Sequence, residues 1–327
     1  MKTIKPKNNE EFKFAALYCF NIINKPEKRK QSLLRVCKDN KILGTILLAK
    51  EGINGTISGS NESIDKIVQY LRNWKEIDNI EVKYSYSSQN GFYRMKVKVK
   101  KEIVTMGKPS INPSVTKGTY IEPENWNKLI SDENVVVVDT RNTYETGVGK
   151  FTGSIDPKTK NFREFPLWAD QFATNKLNKN KKIAMYCTGG IRCEKASSYL
   201  KEKGFKNVFH LKGGILKYLE TVPINKSQWE GECFVFDQRV TVNHNLEKGD
   251  FSQCYGCKMP LSKKEVEDKK YIKGVTCKYC FDNLSNDQKK RFSQRQKQIE
   301  LSLCRGEAHI GQTKKTKKRF LIIPHTL

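Results

Sequence analysis

Long hydrophobic runs are missing from this 327-residue chain. The longest, such as Ile42–Ala49, reach eight residues, against the roughly 20 that a membrane-spanning helix needs. The first residues, Met1 to Lys7, are basic with no apolar stretch behind them, so no secretory signal is expected and a cytoplasmic location follows. Histidine is scarce. His210, His244, His309 and His325 stand singly, so each reads as structural or exposed rather than as a metal ligand. There is no GxGxxG, no Walker loop and no iron facial triad, which leaves no motif for a nucleotide or iron cofactor. Acidic residues are also short: 35 Asp and Glu face 61 Lys and Arg, a net charge of +26. The excess is +12 over residues 1–120, +5 over 121–220 and +9 over 221–327, so it is no single tail. A field of this size favours polyanions, with nucleic acid the usual one; a lysine-rich composition with solvated side chains is the alternative.

What is present bounds the architecture. Hydrophobic residues make up 37% and aromatics 10%, enough for real cores and too much for a wholly disordered chain. The length implies two or three domains. Ten cysteines without an export signal read as thiols, catalytic groups or metal ligands rather than disulfides.

Along the chain the spacing predicts a mixed α/β and α+β multidomain protein. In residues 1–107, strands are expected at 12–20, 42–49, 55–58, 80–87 and 92–105, with helices at 26–39 and from Ser60-Asn61 onward. Glu51 to Gly55 reads as the turn between the second and third strands. That order is the split βαβ, ferredoxin-like arrangement. Residues 108–118, with two prolines, read as a linker. From 119 to 224, short β-branched runs at 135–138, 183–186 and 208–211 alternate with helical segments, a small α/β domain with a buried parallel sheet. Residues 225–310 are rich in Cys, Gly and Lys and need a staple to fold; 311–327 form a basic tail containing Lys314 to Arg319.

The sharpest local signal is the loop Cys187-Thr188-Gly189-Gly190-Ile191-Arg192-Cys193 after the strand Ile183–Tyr186. Ligands of α/β sheets gather at the carboxyl ends of strands, where this loop falls. Backbone N–H groups, the start of the next helix and Arg192 would favour a thiolate at Cys187 and an anionic adduct on it. A free cysteine can also be a small buried hydrophobe, but Gly-Gly with Arg in one short loop serves no packing purpose. The loop resembles the active-site loop of the rhodanese family, in which the cysteine of a Cys-x4-Arg cradle carries a persulfide. Two flanking stretches support the resemblance: Asp139-Thr140-Arg141 with Glu145 and Gly153-Ser154-Ile155, and Leu211-Lys212-Gly213-Gly214. Cys193 departs from the plain pattern, as a second thiol able to resolve a disulfide or as packing. Phosphatase loops use the longer Cys-x5-Arg, so the spacing argues against a phosphatase.

Cys254-x2-Cys257 and Cys277-x2-Cys280 are separated by 19 residues, a spacing that lets two knuckles converge on one tetrahedral structural zinc. Redox use of one pair is the competing reading. Cys233 and Cys304 are possible only as extra ligands, while Cys19 and Cys37 lie in apolar patterns and read as core.

The order of parts, with the strings Ala49–Gly59 and Met185–Lys195, resembles the bacterial tRNA uridine hydroxylases over about residues 10 to 285. The resemblance implies oxygen-dependent conversion of wobble uridine in tRNA to 5-hydroxyuridine, with molecular oxygen as co-substrate, Cys187 acting as thiolate or persulfide, and tRNA as partner. It does not identify the electron donor. The alternative is a rhodanese-type sulfurtransferase that moves persulfide sulfur. Arg94, Lys96, Lys98 and Lys100, next to Phe92 and Tyr93, are the expected RNA platform; a solvated strand face is the plainer alternative.

Overall fold

Hydrophobic alternation along Phe12–Phe20 builds the first strand, and the computed structural model, which describes residues 12–77, 79–175 and 180–306, places it second from one sheet edge. The elements run β1 (Phe12–Phe20), α1 (Pro26–Asp39), β2 (Leu43–Ala49), β3 (Gly52–Gly59), α2 (Asn61–Arg72), β4 (Glu81–Ser87) and β5 (Met95–Val99). Strands β4-β1-β3-β2 form the antiparallel ferredoxin-like sheet, and β5 joins its β2 edge in parallel. Ile64, Ile67, Val68 and Leu71 of α2 and Leu33 and Cys37 of α1 pack on one face against Leu17, Ile46, Ile53 and Val97. Ser60 caps α2 by accepting from the Ser63 N–H at 3.2 Å. Cys19 and Cys37 are both in this core.

The tight turn differs from the expected one. Ala49 pairs with Gly52, so Lys50-Glu51 make the turn and Asn54-Gly55 lie inside β3. The glycines answer crowding: a Cβ on Gly52 would stand 2.0 Å from the Cys19 carbonyl oxygen and one on Gly55 2.5 Å from that of Thr45. The last predicted strand is also shorter, because the chain leaves the sheet after Val99 to bury Glu102, Ile103 and Met106.

Residues 108–118 form a docked strap rather than a free linker. Gly118 N–H donates to Ser197 Oγ at 2.9 Å, Ser198 Oγ donates to the Thr116 carbonyl, and Ser114 Oγ to that of Phe20 at 3.2 Å. Beyond it come β6 (Thr119–Ile121), α3 (Pro123–Ile130), β7 (Val135–Asp139), α4 (Thr143–Thr146), β8 (Gly149–Phe151), α5 (Phe165–Thr174), β9 (Lys182–Tyr186), α6 (Ile191–Glu202), β10 (Val208–Leu211) and α7 (Gly214–Thr221). β6-β10-β9-β7 are all parallel. The three-residue β6 and β8 carry too little periodicity to be seen in the sequence.

Residues 225–253 do not belong with the cysteine-rich segment. β11 (Trp229–Gly231) pairs with β8, and Trp229, Cys233, Val235, Val242 and Leu246 share a core with Trp126, Phe151, Tyr186 and Tyr218. The chain divides into two compact units after Gln253. Within the second, Ser262 caps α8 (Lys263–Val266), Ser285 caps α9 (Asn286–Cys304), and Leu261, Val266, Tyr271 and Leu284 pack around the cysteines. The basic tail, with Lys314 to Arg319, and His309 and His325 lie outside the described residues.

Candidate active site

β9 carries the reactive loop into the interior. Ile183, Ala184, Met185 and Tyr186 are buried, and Phe151 meets the rings of Tyr186, Tyr218 and Trp229 edge-on at 4.8, 4.8 and 5.1 Å. Such pairs add about 0.5–1.5 kcal/mol each to area burial, so the strand end that precedes Cys187 is rigid. The loop leans on the Gly213-Gly214 turn: Ile215 N–H donates to the Cys187 carbonyl at 3.0 Å and Leu216 N–H to that of Thr188 at 3.1 Å. A Cβ on Gly214 would fall 2.5 Å from the Cys187 carbonyl oxygen, with φ at +67°. Only glycine fits there.

The Cys187 sulfur is enclosed by donors. Gly190 N–H reaches it at 3.1 Å, the Arg192 and Cys193 amides also point at it, and the Cys193 thiol hydrogen-bonds to it. Burial alone would raise the thiol pKa. The Cys193 thiol, the Arg192 charge and the amides outweigh burial and hold Cys187 well below the ordinary thiol value. Cys193 moves the other way, pushed far up by burial and by its charged neighbour. It is a neutral donor to an anionic sulfur.

Arg192 is committed elsewhere than the sequence suggests. Its guanidinium binds Glu145 through two bonds of 2.6 and 2.7 Å, and both side chains are buried. Glu145 in turn caps α4 and accepts the Asn142 N–H at 3.2 Å. Arg141 forms the parallel pair with Asp139 and donates to the Glu145 and Gly149 carbonyls at 3.2 and 2.6 Å. The Asp-x-Arg and Glu signature is therefore scaffolding that fixes Arg192, and Arg192 acts on the sulfur through charge and its backbone amide.

The N-terminal domain closes over this loop. Tyr18 Oη donates to Glu194 Oε1 at 2.8 Å, as does Tyr120 Oη. Lys195, fully buried, binds Glu51 at 2.8 Å and Glu102 at 2.6 Å. Between the sheet and the loop lies a cavity of about 420 Å³, reached by Phe14, Tyr18 and Lys83 from one side and Tyr144, Cys187 and Thr188 from the other. That lies within the roughly 300–1,000 Å³ of small-molecule sites. Nothing in the sequence marked Tyr18 or Lys83 as belonging here, because only tertiary packing brings β1 and β4 to the cysteine.

Comparison with known proteins agrees with both halves of this site. A family model described as the UPF0176 acylphosphatase-like domain matches residues 12–103, and the rhodanese-like domain model matches 122–221. The chain has the architecture of the UPF0176 tRNA uridine hydroxylases. Two similar solved structures each cover about a third of this chain. The rhodanese-like domain of an Anabaena protein is 19% identical over 34% of this chain and 78% of its own, with a TM-score of 0.28. A Staphylococcus aureus rhodanese-like domain protein is 26% identical over 31% and 90%, with a TM-score of 0.26.

In this UPF0176 architecture the expected RNA platform is an exposed edge. Arg94, Lys96, Lys98 and Lys100 are all exposed along β5 and its flanks. Lys96 pairs in register with Thr45 and Lys98 with Leu47, so these lysines share the sheet face that lines the cavity. Of the remaining histidines, His210 is buried and its pKa is lowered to about 4, chiefly by burial. His244 bonds the Val222 carbonyl at 2.8 Å.

In the second unit, the sulfurs of Cys254, Cys257, Cys277 and Cys280 lie within 4.8 Å of one another. Cys257–Cys277 and Cys254–Cys280 are 3.6 and 3.9 Å apart. Tetrahedral zinc with bonds of about 2.3 Å sets its sulfurs about 3.8 Å apart, so the four cysteines can hold a metal ion and fit structural zinc. A Cβ on Gly256 would stand 2.3 Å from the Val275 carbonyl oxygen, which is why the first knuckle carries glycine. Cys233 is buried in the first unit, and exposed Cys304 is not part of this cluster.

Two outcomes follow. The difference in ultraviolet thiolate absorbance between the native protein and Cys187→Ser should persist at neutral pH and vanish only on acidification well below the ordinary thiol range. Arg192→Gln should move that transition upward; a transition at the ordinary thiol value in the native protein would contradict the cradle. Protein purified without added metal should contain about one zinc per chain, and Cys277→Ser should lose it and lower Tm; native protein without zinc would refute the metal site.

Proposed function

We propose that this protein hydroxylates C5 of the wobble uridine of tRNA, with molecular oxygen as co-substrate and two thiols together as the two-electron reductant. The rhodanese-like domain supports rhodanese-type chemistry at Cys187. The observation that carries the finer reading is the cavity: the thiolate cradle opens under the sheet of a UPF0176 N-terminal domain rather than to bulk solvent. A sulfurtransferase has no need of that cover. In the overall reaction, uridine, oxygen and two thiols give 5-hydroxyuridine, water and a disulfide, which balances. Cys187 adds to C6 of the uracil, making C5 electron-rich enough to meet oxygen. The tRNA backbone lies along the β5 lysines, and zinc bound by the second unit is structural.

Sulfur transfer is the second reading, favoured by the N–H ring around Cys187, which would hold a persulfide equally well. Nucleoside mass spectrometry separates the two. Full-length protein with unmodified tRNA and dithiothreitol in air should form 5-hydroxyuridine, and should not do so without oxygen. Cys187→Ser should abolish the product, and Lys96→Glu with Lys98→Glu should raise KM for tRNA and reduce its salt dependence by about one unit of slope per lost contact. No product from the native protein, together with thiocyanate formation from thiosulfate and cyanide, would establish the sulfurtransferase instead.

A further inference from the structure

The cavity above Cys187 holds three cations among the described residues, and two are already bound. Arg192 is tied to Glu145 at 2.6 and 2.7 Å, and Arg239 to Asp237 at 2.7 and 2.9 Å and to Ser85 Oγ at 2.8 Å. The third is Lys83. It stands on β4 opposite Ala16 of β1, is only 8% exposed, and its Nζ has no hydrogen-bond partner among the described residues. The ammonium lies over the Tyr18 ring, 4.8 Å from Nζ to the centroid. The stem runs beside the Gly213 turn, where a Cβ would come 3.3 Å from Lys83 Cε. Burial lowers the ammonium pKa, Glu81, Cys187 and Glu194 raise it, and Lys217 lowers it again. A buried donor without an acceptor is costly, and one that faces a cavity is placed to be completed by what the cavity binds.

We propose that Lys83 is a catalytic residue, whose ammonium donates to O4 of the target uracil and stabilises the enolate formed when Cys187 adds to C6. The proposal rests on the hydroxylation reading above. The thiolate electron pair forms the S–C6 bond, and the C5=C6 π pair moves through C4 onto O4, where the Lys83 N–H meets the charge. Nothing is oxidised or reduced. Protonation at C5 from solvent, loss of the original C5 hydrogen as a proton and expulsion of the Cys187 thiolate return uridine, so the step runs backwards without oxygen and exchanges the hydrogen on C5. The loop amides are turned to the sulfur, Arg192 to Glu145 and Arg239 to Asp237, which leaves Lys83 as the cation among the described lining residues that has no hydrogen-bond partner to give up for O4. In this arrangement the N-terminal domain supplies part of the chemistry as well as cover.

The experiment follows loss of deuterium from C5-deuterated uridine in tRNA, under anaerobic conditions, with the full-length protein. Native protein should exchange the wobble position. Lys83→Met should slow both anaerobic exchange and aerobic hydroxylation by about 100-fold or more, as loss of one oxyanion donor does, at unchanged KM, Tm and Cys187 thiolate absorbance. Lys83→Ala should regain exchange with added methylamine in a concentration-dependent way, which a merely structural lysine would not allow. Native-like exchange by Lys83→Met, an effect confined to KM, or failure of methylamine to rescue would overturn the proposal. Native protein that hydroxylates in air yet never exchanges would overturn the addition step and leave the hydroxylase reading standing. Native protein that does neither would remove that reading, and this role with it.

Discussion

The first turns of the helix after Cys187 hold three charged side chains in the interior, and the site depends on their being paired. Arg192 binds Glu145, Glu194 accepts from Tyr18 and Tyr120, and Lys195 binds Glu51 and Glu102. Breaking a buried pair by removing one partner costs about 3–5 kcal/mol, a large share of a typical domain's stability. Each pairing also points in a different direction: to α4, to β1 and β6, and to the β2–β3 turn and the segment after β5. The helix N-terminus that organises the sulfur is thereby locked to both domains of the first unit. A shift of the N-terminal sheet would be felt at the cysteine.

This coupling explains why the N-terminal domain differs from a separate RNA-binding appendage. Its open sheet face bounds the cavity, its β5 edge presents the lysine row on that same face, and its β4 carries Lys83 inward. The second unit is organised differently. It has few apolar side chains around four cysteines that can hold a metal ion, and in such a segment metal-binding free energy would be folding free energy.

Much of this was legible from residue patterns. Hydrophobic patterning located the strands of the first sheet, β-branched runs located three of the four in the second, and Cys187-x4-Arg192 with its flanking elements marked the cysteine loop, because a thiolate cradle needs those residues at that spacing. The two strings that carried the family resemblance, around Glu51 and around Lys195, touch in the structure through that ion pair. Pattern failed where packing decides. Glycines that relieve backbone crowding in β3 looked like turn residues, and Ser114, Thr116 and Gly118 gave no sign that the linker is docked. Arg192 looked free to hold an adduct, since nothing local indicates that Glu145, 47 residues away, claims its guanidinium. Lys83 was invisible for the same reason: a lysine in a strand normally faces water.

Hydroxylation by this route requires that Cys187 attack the uracil ring inside this cavity. The most direct measurement is mass spectrometry of the full-length protein after incubation with tRNA carrying 5-fluorouridine at the wobble position. A covalent nucleotide adduct is expected on the peptide containing Cys187, absent from Cys187→Ser. Native protein that leaves the tRNA unattached, while Cys187 takes up sulfur from thiosulfate as a persulfide, would contradict this route.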